Sequence, residues 1–418
     1  METKNNMNSS SNQVDTHVVG GIELHRPFQI RRLGHFGINV ESVEVAYDFY
    51  GRLLGFEISD EIDFGPRVPE SLKGQTGGTK GLFTRCGTDH HAFVLFPKRT
   101  MHATNPHYAK YPELTVNQIT WQVSTLQEVV DSFDWFKARG WSVIRSGRDT
   151  PGSNWHIYPA DPAGHINELY YGIEQIGWAG ISKPLSMHSI RYVQPPELPH
   201  RSEYAEVNQG LNQGLGLVGG YRRQDAWPET FDVGGVLLAR PFKISKVGPV
   251  RIFVDDLDAA VAFYTTAMGL SLTEEILCHG HRCVFLRANT EHHSLALYPK
   301  ALRAKLGLPA RSSLLGFGVQ LGSYQQLTNA ITYLKSQGVQ FVQLPQELSL
   351  GVGHHVWALD PDGNHVQLYW EMEQLGWEGR PKPAELRRTW NSDPQTWPAQ
   401  LSPLSDSFLG EVFLGPLN

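Results

Sequence analysis

Cysteine is scarce. Cys86, Cys278 and Cys283 are the only three in 418 residues, too few for a disulfide framework. No run approaches the roughly 18 consecutive apolar residues of a membrane-spanning helix. The opening METKNNMNSSSNQVDTH also lacks the apolar centre of a secretory leader. Neither sign of charge dominates: 36 basic against 42 acidic residues give a net charge of −6, so no electrostatic footprint for nucleic acid or an anionic membrane is visible. The expectation is a cytoplasmic protein whose partner is a small molecule. An apolar content of 40%, with 41 Gly and 26 Pro, excludes bulk disorder and coiled coil and points to many turns.

What the chain does have is a repeat. GGIELHRPFQIRRLGHFGINVESVEVAYDFYGRLLGF, from Gly20 to Phe56, returns in register as GGVLLARPFKISKVGPVRIFVDDLDAAVAFYTTAMGL, from Gly234 to Leu270. Asp89-His90-His91 reappears as Glu291-His292-His293, and YGIEQIGWAGISKP from Tyr171 reappears as WEMEQLGWEGRPKP from Trp370. Each half divides again. An extended segment over Leu33 to Val40 precedes a helical pattern carried by Val45, Ala46, Phe49, Tyr50, Leu53 and Leu54, which Gly55 ends. Strand-like pieces follow near Phe56 to Asp63, Gly81 to Cys86 and His91 to Phe96. The order then repeats: a strand over Gln118 to Val123, a helix over Thr125 to Arg139, and strands near Val143, His156 and Asn167 to Tyr171.

The pattern predicts an α+β protein of four βαβββ modules, paired by tandem duplication into two open-barrel, cup-shaped domains. The expected boundaries are a disordered tail over 1–19, an N-terminal domain over 20–180 and a linker over 181–233. A C-terminal domain over 234–383 and a tail over 384–418 complete the chain. One module is too small to cover its own sheet, so two must pair, and alternate strand residues then point into the cup. The first strand of each module and the last strand of the second carry His35, Gln118 and Glu168 in the first half. An imidazole, an amide oxygen and a carboxylate from three strands form a facial set suited to a divalent metal with open positions.

These residues resemble the vicinal oxygen chelate superfamily and, within it, the two-domain type I extradiol ring-cleavage dioxygenases. LGHFGINV with VAYDFYGRLLGF is similar to the module opening whose histidine binds iron, which implies that role for His35. HINELYYG is similar to the strand whose glutamate completes the metal site, which implies Glu168. DHHAFVLF is similar to the segment supplying an acid/base histidine, which implies His91. GRDTPGSNWHIYPADPAGHINE places Tyr158 at the family's tyrosine, ten residues before the glutamate, with Asp149 where the family has a histidine. Two features depart from the family: Gln118 stands in place of the second iron-binding histidine, and Pro249, Gly316 and Gln367 stand at the three ligand positions of the C-terminal half, where the family normally keeps its metal. The resemblance therefore implies a single metal site in the N-terminal half. It also implies Fe(2+), with Mn(2+), Zn(2+) or Ni(2+) as alternatives, and a small aromatic substrate with O2; a homo-oligomer is expected only from the general frequency of homodimers.

Each residue also has a structural reading. His35 could be a structural strand histidine, Glu168 could form a salt bridge with an arginine, and Gln118 could line the cup as a hydrogen-bonder. The double histidine recurs in both halves and so could belong to the fold. Tyr158 could be a half-buried aromatic, and Asp149 could cap its own turn. Trp121 and Trp155 are candidate walls of an aromatic pocket. Cys278-His279-Gly280-His281-Arg282-Cys283 is too tightly spaced for a zinc finger and reads as a turn. Three functions remain open: an extradiol-type dioxygenase, an isomerase, epimerase or lyase using the metal as a Lewis acid, and a metal-free protein that binds an aromatic ligand.

Overall fold

The computed structural model describes residues 16–401 apart from 150, 151, 153, 177–182, 184–185, 188–189, 217–226, 309–311, 376–378 and 388–391. Most of the expected N-terminal tail and residues 402–418 of the C-terminal tail thus lie outside the described residues.

A short hairpin, β1 (His17–Val19) and β2 (Ile22–Leu24), opens the first half. Its turn is Gly20-Gly21, both with positive φ (58° and 82°), the conformation that a two-residue hairpin turn of this kind requires. The first module follows: β3 (Arg32–Val40), α1 (Val43–Tyr47), β4 (Glu57–Asp63), β5 (Lys80–Arg85) and β6 (Phe93–Pro97). After α2 (Lys98–Thr104) and α3 (Pro106–Lys110) comes the second: β7 (Val116–Gln122), α4 (Leu126–Ala138), β8 (Val143–Arg148), β9 (Trp155–Pro159) and β10 (Asn167–Tyr171). Ser42 caps α1 by accepting the Val45 N–H at 3.3 Å, and a π-helical turn over Asp48–Leu53 continues it. That wider turn buries Phe49, Tyr50 and Leu53 together but leaves Val45, predicted on the same face, exposed.

The eight strands form one continuous mixed sheet in the order β4-β5-β6-β3-β7-β10-β9-β8. The modules join edge to edge through the antiparallel β3–β7 pair, so the cup is one curled sheet. Helix α5 (Glu203–Asn212) lies in the expected linker, and its Glu206 reaches the buried Arg148 at 2.9 Å.

The second half repeats this plan. A hairpin of β11 (Phe231–Val233) and β12 (Val236–Leu238) turns on Gly234-Gly235. It leads to β13 (Ile244–Val254), α6 (Leu257–Ala262), β14 (Ser271–Cys278), β15 (His281–Arg287), β16 (Leu295–Pro299) and α7 (Lys300–Lys305). Then come β17 (Leu314–Leu321), α8 (Tyr324–Ser336), β18 (Phe341–Val342), β19 (His355–Leu359) and β20 (His365–Tyr369), with the same strand order. His279-Gly280 is the β14–β15 turn, both residues at positive φ, in line with the turn that Gly280 suggests.

The main core lies on the helix-bearing faces and contains residues of both halves: Phe36, Tyr50 and Phe93 all pack against Phe317. Two reciprocal hydrogen bonds join the halves. Tyr50 Oη donates to Asp360 at 2.8 Å, and Tyr264 Oη donates to Asp161 at 3.0 Å. With the outer faces buried in this way, the concave inner faces are left to line the cups. Among the described residues no helix is long and apolar enough to cross a membrane.

Candidate active site

The inner face of the first sheet brings His35, Gln118 and Glu168 to the floor of a cavity of about 140 Å³, which His91, Asp149 and Tyr158 also line. His35 sits where the β3–β7 register slips between Leu33 and Phe36. The Thr120 hydroxyl spans that bulge, accepting the His35 N–H and donating to the His35 carbonyl, both at 2.7 Å. Gly34 is needed beside it, because a Cβ there would lie 2.1 Å from the Tyr170 hydroxyl. Tyr170 in turn packs its ring 5.1 Å from that of His35.

Glu168 is fully buried and bonded on both oxygens. Oε2 lies 3.1 Å from His35 Nε2 and accepts from Gln118 Nε2 at 3.3 Å, while Oε1 accepts from Asn154 Nδ2 at 2.8 Å. Burial by itself would raise the Glu168 pKa, but His35, with His156 and Arg145 beyond it, outweighs burial and holds the carboxyl below its ordinary range. His35 Nδ1 is buried and has no hydrogen-bond partner among the described residues. Leaving such a group unpaired costs about 1–3 kcal/mol, which folding alone gives no reason to retain.

The two adjacent histidines have different jobs. His90 turns toward Asp60, its Nε2 3.0 Å from the carboxylate, and its Nδ1 meets His91 Nδ1 at 3.1 Å. His91 faces the cavity with its ring 4.2 Å from that of His35. Burial first, then the neighbouring His35 and His90, hold its pKa well below the usual imidazole range, so the ring is neutral. With His90 Nε2–H donating to Asp60 and its Nδ1 accepting, the pair is satisfied when His91 Nδ1 carries the hydrogen, which leaves His91 Nε2 as the basic nitrogen. His292 and His293 repeat the arrangement with Glu274, so the pairing itself belongs to the fold.

Tyr158 stands on β9 beneath the Arg145 guanidinium, 4.2 Å from its ring centroid. Burial raises its pKa well above the ordinary phenol value, which keeps it a hydrogen-bond donor. Asp149, just past β8, accepts a hydrogen bond from Arg145 and lies 3.7 Å from His156 Nε2. Trp121 and Trp155 are not cavity walls. Trp121 is in the opposite-face core, donating to Asn167 at 2.9 Å, and Trp155 packs against Tyr192 and His200. Strand parity explains the correction: His156 and Tyr158 face the cup, so Trp155 and Ile157 between and beside them face the core. The same parity would have pointed to His156, whose pKa burial and Arg145 pull down to about 4. Arg145 and Asn154 carried no comparable signal, because β8 is irregular between Val143 and Ser146 and Asn154 precedes its strand.

The second cup is filled. Phe253, Phe285, Tyr298, Leu315, Leu348 and Trp357 pack within it. Where the first half has Gly37 opposite Gln118, the second has Arg251 opposite Gly316, so the large side chain has moved to the neighbouring strand. Arg251 is fully buried. Its Nη2 donates to Gln367 Oε1 at 2.6 Å and lies 3.2 Å from His293 Nε2, and the guanidinium sits 5.0 Å over Trp357. A built-in cation thus contacts the residues that correspond to Glu168 and His91. Pro249 and Gly316 offer no side-chain donor there.

The family profile described as Glyoxalase/Bleomycin resistance protein/Dioxygenase superfamily matches residues 32–169 and 246–368, one stretch in each half and together more than half the chain. The chain belongs to this superfamily. A curated relative, 3-methylcatechol 2,3-dioxygenase of Pseudomonas putida, is 26% identical over 147 residues, 34% of this chain. That match spans 43% of the relative's own length. The fold is shared with homoprotocatechuate 2,3-dioxygenase of Brevibacterium fuscum in complex with 3,4-dihydroxyphenylacetate (TM-score 0.53, 13% identity, 85% of each chain). It is also shared with a Mn(II)-bound glyoxalase of Novosphingobium aromaticivorans (TM-score 0.52, 14% identity, 92% of this chain and 98% of that one). The dioxygenase resemblance seen in the residue motifs is therefore a distant one.

The donor set of this superfamily member can be tested against a metal. Among the described residues no group of three or more His, Cys, Asp or Glu side chains is arranged to hold one, and the floor of the cavity offers two such residues with an amide as the third. Ligands at right angles, each about 2.1 Å from a divalent cation, lie about 3 Å apart. The 3.1 Å and 3.3 Å separations of His35 and Gln118 from Glu168 meet that condition, once the Gln118 amide turns its oxygen inward. Two of the three ligand separations thus suit a divalent cation held by one nitrogen and two oxygens.

Proposed function

We propose that the protein is an extradiol-type ring-cleaving dioxygenase whose N-terminal cup takes a catechol-like aromatic substrate and O2, with Fe(2+) held by His35, Glu168 and Gln118. The observation that carries this reading is the convergence of those three side chains at the floor of an aromatic-lined cavity with a neutral His91 beside them. The catechol dioxygenases among the relatives support the substrate class.

Bound there, iron would supply a Lewis acid that acidifies a substrate hydroxyl and the one-electron chemistry that O2 requires. The chain's own residues do the rest. His91 Nε2 takes the proton of a substrate hydroxyl and returns it to an oxygen later in the turnover, held in its tautomer by His90 and Asp60. The Tyr158 hydroxyl, kept protonated by burial, donates to a developing oxyanion. Phe83, Phe96 and Met101 exclude water from the cavity, which strengthens both interactions. Arg251 and the filled second cup make the C-terminal half a structural partner.

A second reading is a Lewis-acid isomerase or lyase, favoured by the amide of Gln118 where the dioxygenase pattern has an imidazole. Oxygen uptake separates the two. Protein loaded with Fe(2+) under anaerobic conditions is mixed with a panel of catechols in an oxygen electrode. Stoichiometric O2 consumption with a yellow ring-opened product is expected, and its absence with every catechol, at full iron occupancy, would overturn the dioxygenase reading.

A further inference from the structure

Arginines surround the same cavity that holds His35 and Glu168. Arg67 comes from the turn Gly65–Arg67 between β4 and β5, Arg145 from β8, and Arg191 from the segment after the second module. Against these three positive charges the lining offers two carboxylates. Glu168 is committed at the floor to His35, Gln118 and Asn154, and Asp149 is committed to Arg145. Neither Arg67 nor Arg191 forms an ion pair with a carboxylate among the described residues; the nearest acid acting on Arg67 is Asp149, which is bonded to Arg145. Arg67 lies over the Phe64 ring at 5.4 Å, and burial, then the neighbouring Arg191, lower its pKa. Two like charges held near one opening, with their neighbourhood's acid already bonded elsewhere, are relieved by an anion placed between them.

Volume limits what that anion can be attached to. The cavity is about 140 Å³, and an engineered apolar cavity of about 150 Å³ is filled by benzene. A space of that size takes one six-membered ring, with any further substituent reaching out through its open side.

We propose that Arg67 and Arg191 bind a carboxylate on the substrate, so that the ligand is a single aromatic ring with its diol edge on the floor and an acidic substituent at the mouth. The diol end of this assignment rests on the ring-cleavage reading; the carboxylate end rests on the arginines alone. Charge-assisted bonds to a carboxylate at a partly exposed site favour an acid over its uncharged ester by about tenfold or more.

Isothermal titration calorimetry on the full-length protein tests this with 3,4-dihydroxybenzoate, whose acid lies on the side of the ring away from the diol, its methyl ester, catechol and benzoate. The acid is expected to bind at least about tenfold more tightly than the ester, with the preference shrinking as salt is raised. In the double variant Arg67→Gln/Arg191→Gln, whose side chains are exposed enough for the fold to survive, the ratio of acid to ester affinity should fall to about one. The thermal midpoint of the variant serves as the folding control. Equal affinities in the wild type, or a preference that persists in the folded double variant, would overturn the proposal. The two readings fail separately. Benzoate binding that is lost in the double variant, without oxygen uptake on any catechol, would keep the carboxylate subsite and remove the dioxygenase. Oxygen uptake on catechol with no preference for the acid would do the reverse.

Discussion

Asp360→Asn should stabilise the protein increasingly as pH rises, because the wild-type carboxyl lies where its protonated form is favoured. The side chain is 5% exposed at the joint between the halves. It accepts hydrogen bonds from Tyr50 Oη, from the backbone of Asp362 and Asn364, and from Asn364 Nδ2. Among the described residues no cation acts on it. Burial, with Asp362 nearby, raises its pKa from 3.8 to about 6 in spite of those bonds. Between these two values the folded state holds a proton that the unfolded state has lost, so stability falls as pH rises through the window and the full cost is present above pH 6. At 1.36 kcal/mol per unit the cost is on the order of 3 kcal/mol. Asn keeps the acceptor that serves the two backbone N–H groups. Its NH2 can donate to Tyr50 Oη, and the Asn364 amide can turn to present its oxygen. Urea unfolding of both proteins at pH 4 and pH 8 is the assay. The variant's advantage should grow from near zero to about 3 kcal/mol. A difference that stays constant between the two pH values would refute the burial argument, as would a variant less stable at pH 8.

Further outcomes follow from the site and its supports. Gln118→His should tighten Fe(2+) binding, because imidazole is the stronger donor; unchanged affinity in equilibrium dialysis would mean that this side chain faces elsewhere. His91→Ala should lower kcat by about 10²–10⁴, whereas His293→Ala, in the filled cup, should leave kcat within about twofold. Equal losses in the two variants would show the histidine pair to be purely structural. Arg148→Met should cost about 1.5–3 kcal/mol by removing the 2.9 Å charged hydrogen bond to buried Glu206, whose other oxygen still faces Arg201 and His200 at 3.5 Å, read as a lower urea midpoint.

Much of this was legible in the chain because duplication exposes what one copy keeps and the other discards. The repeat defined the βαβββ order, and the contrast of His35 with Pro249 and of Glu168 with Gln367 marked the first half as different. Side-chain parity was the signal left unused: counted from Tyr158 it excludes Trp155 and selects His156. Arg251 stayed hidden because it is not at a ligand position. It replaces Gly37, and only the pairing of β13 with β17 shows that it stands opposite Gly316. His91 was chosen over His90 by the resemblance alone, since the physical reason depends on where Asp60 lies across the sheet. Arg67 and Arg191 come from irregular segments whose approach to the cavity no periodicity predicts.

The central claim is one divalent metal per chain, in the N-terminal cup. Crystals of protein loaded with Fe(2+) or Mn(2+), measured at the corresponding absorption edge, test it most directly. The account predicts a single anomalous peak between His35, Gln118 and Glu168, lost in Glu168→Ala, and none beside Arg251. A peak in the C-terminal cup, or none at Glu168 in protein shown to be loaded, would contradict it.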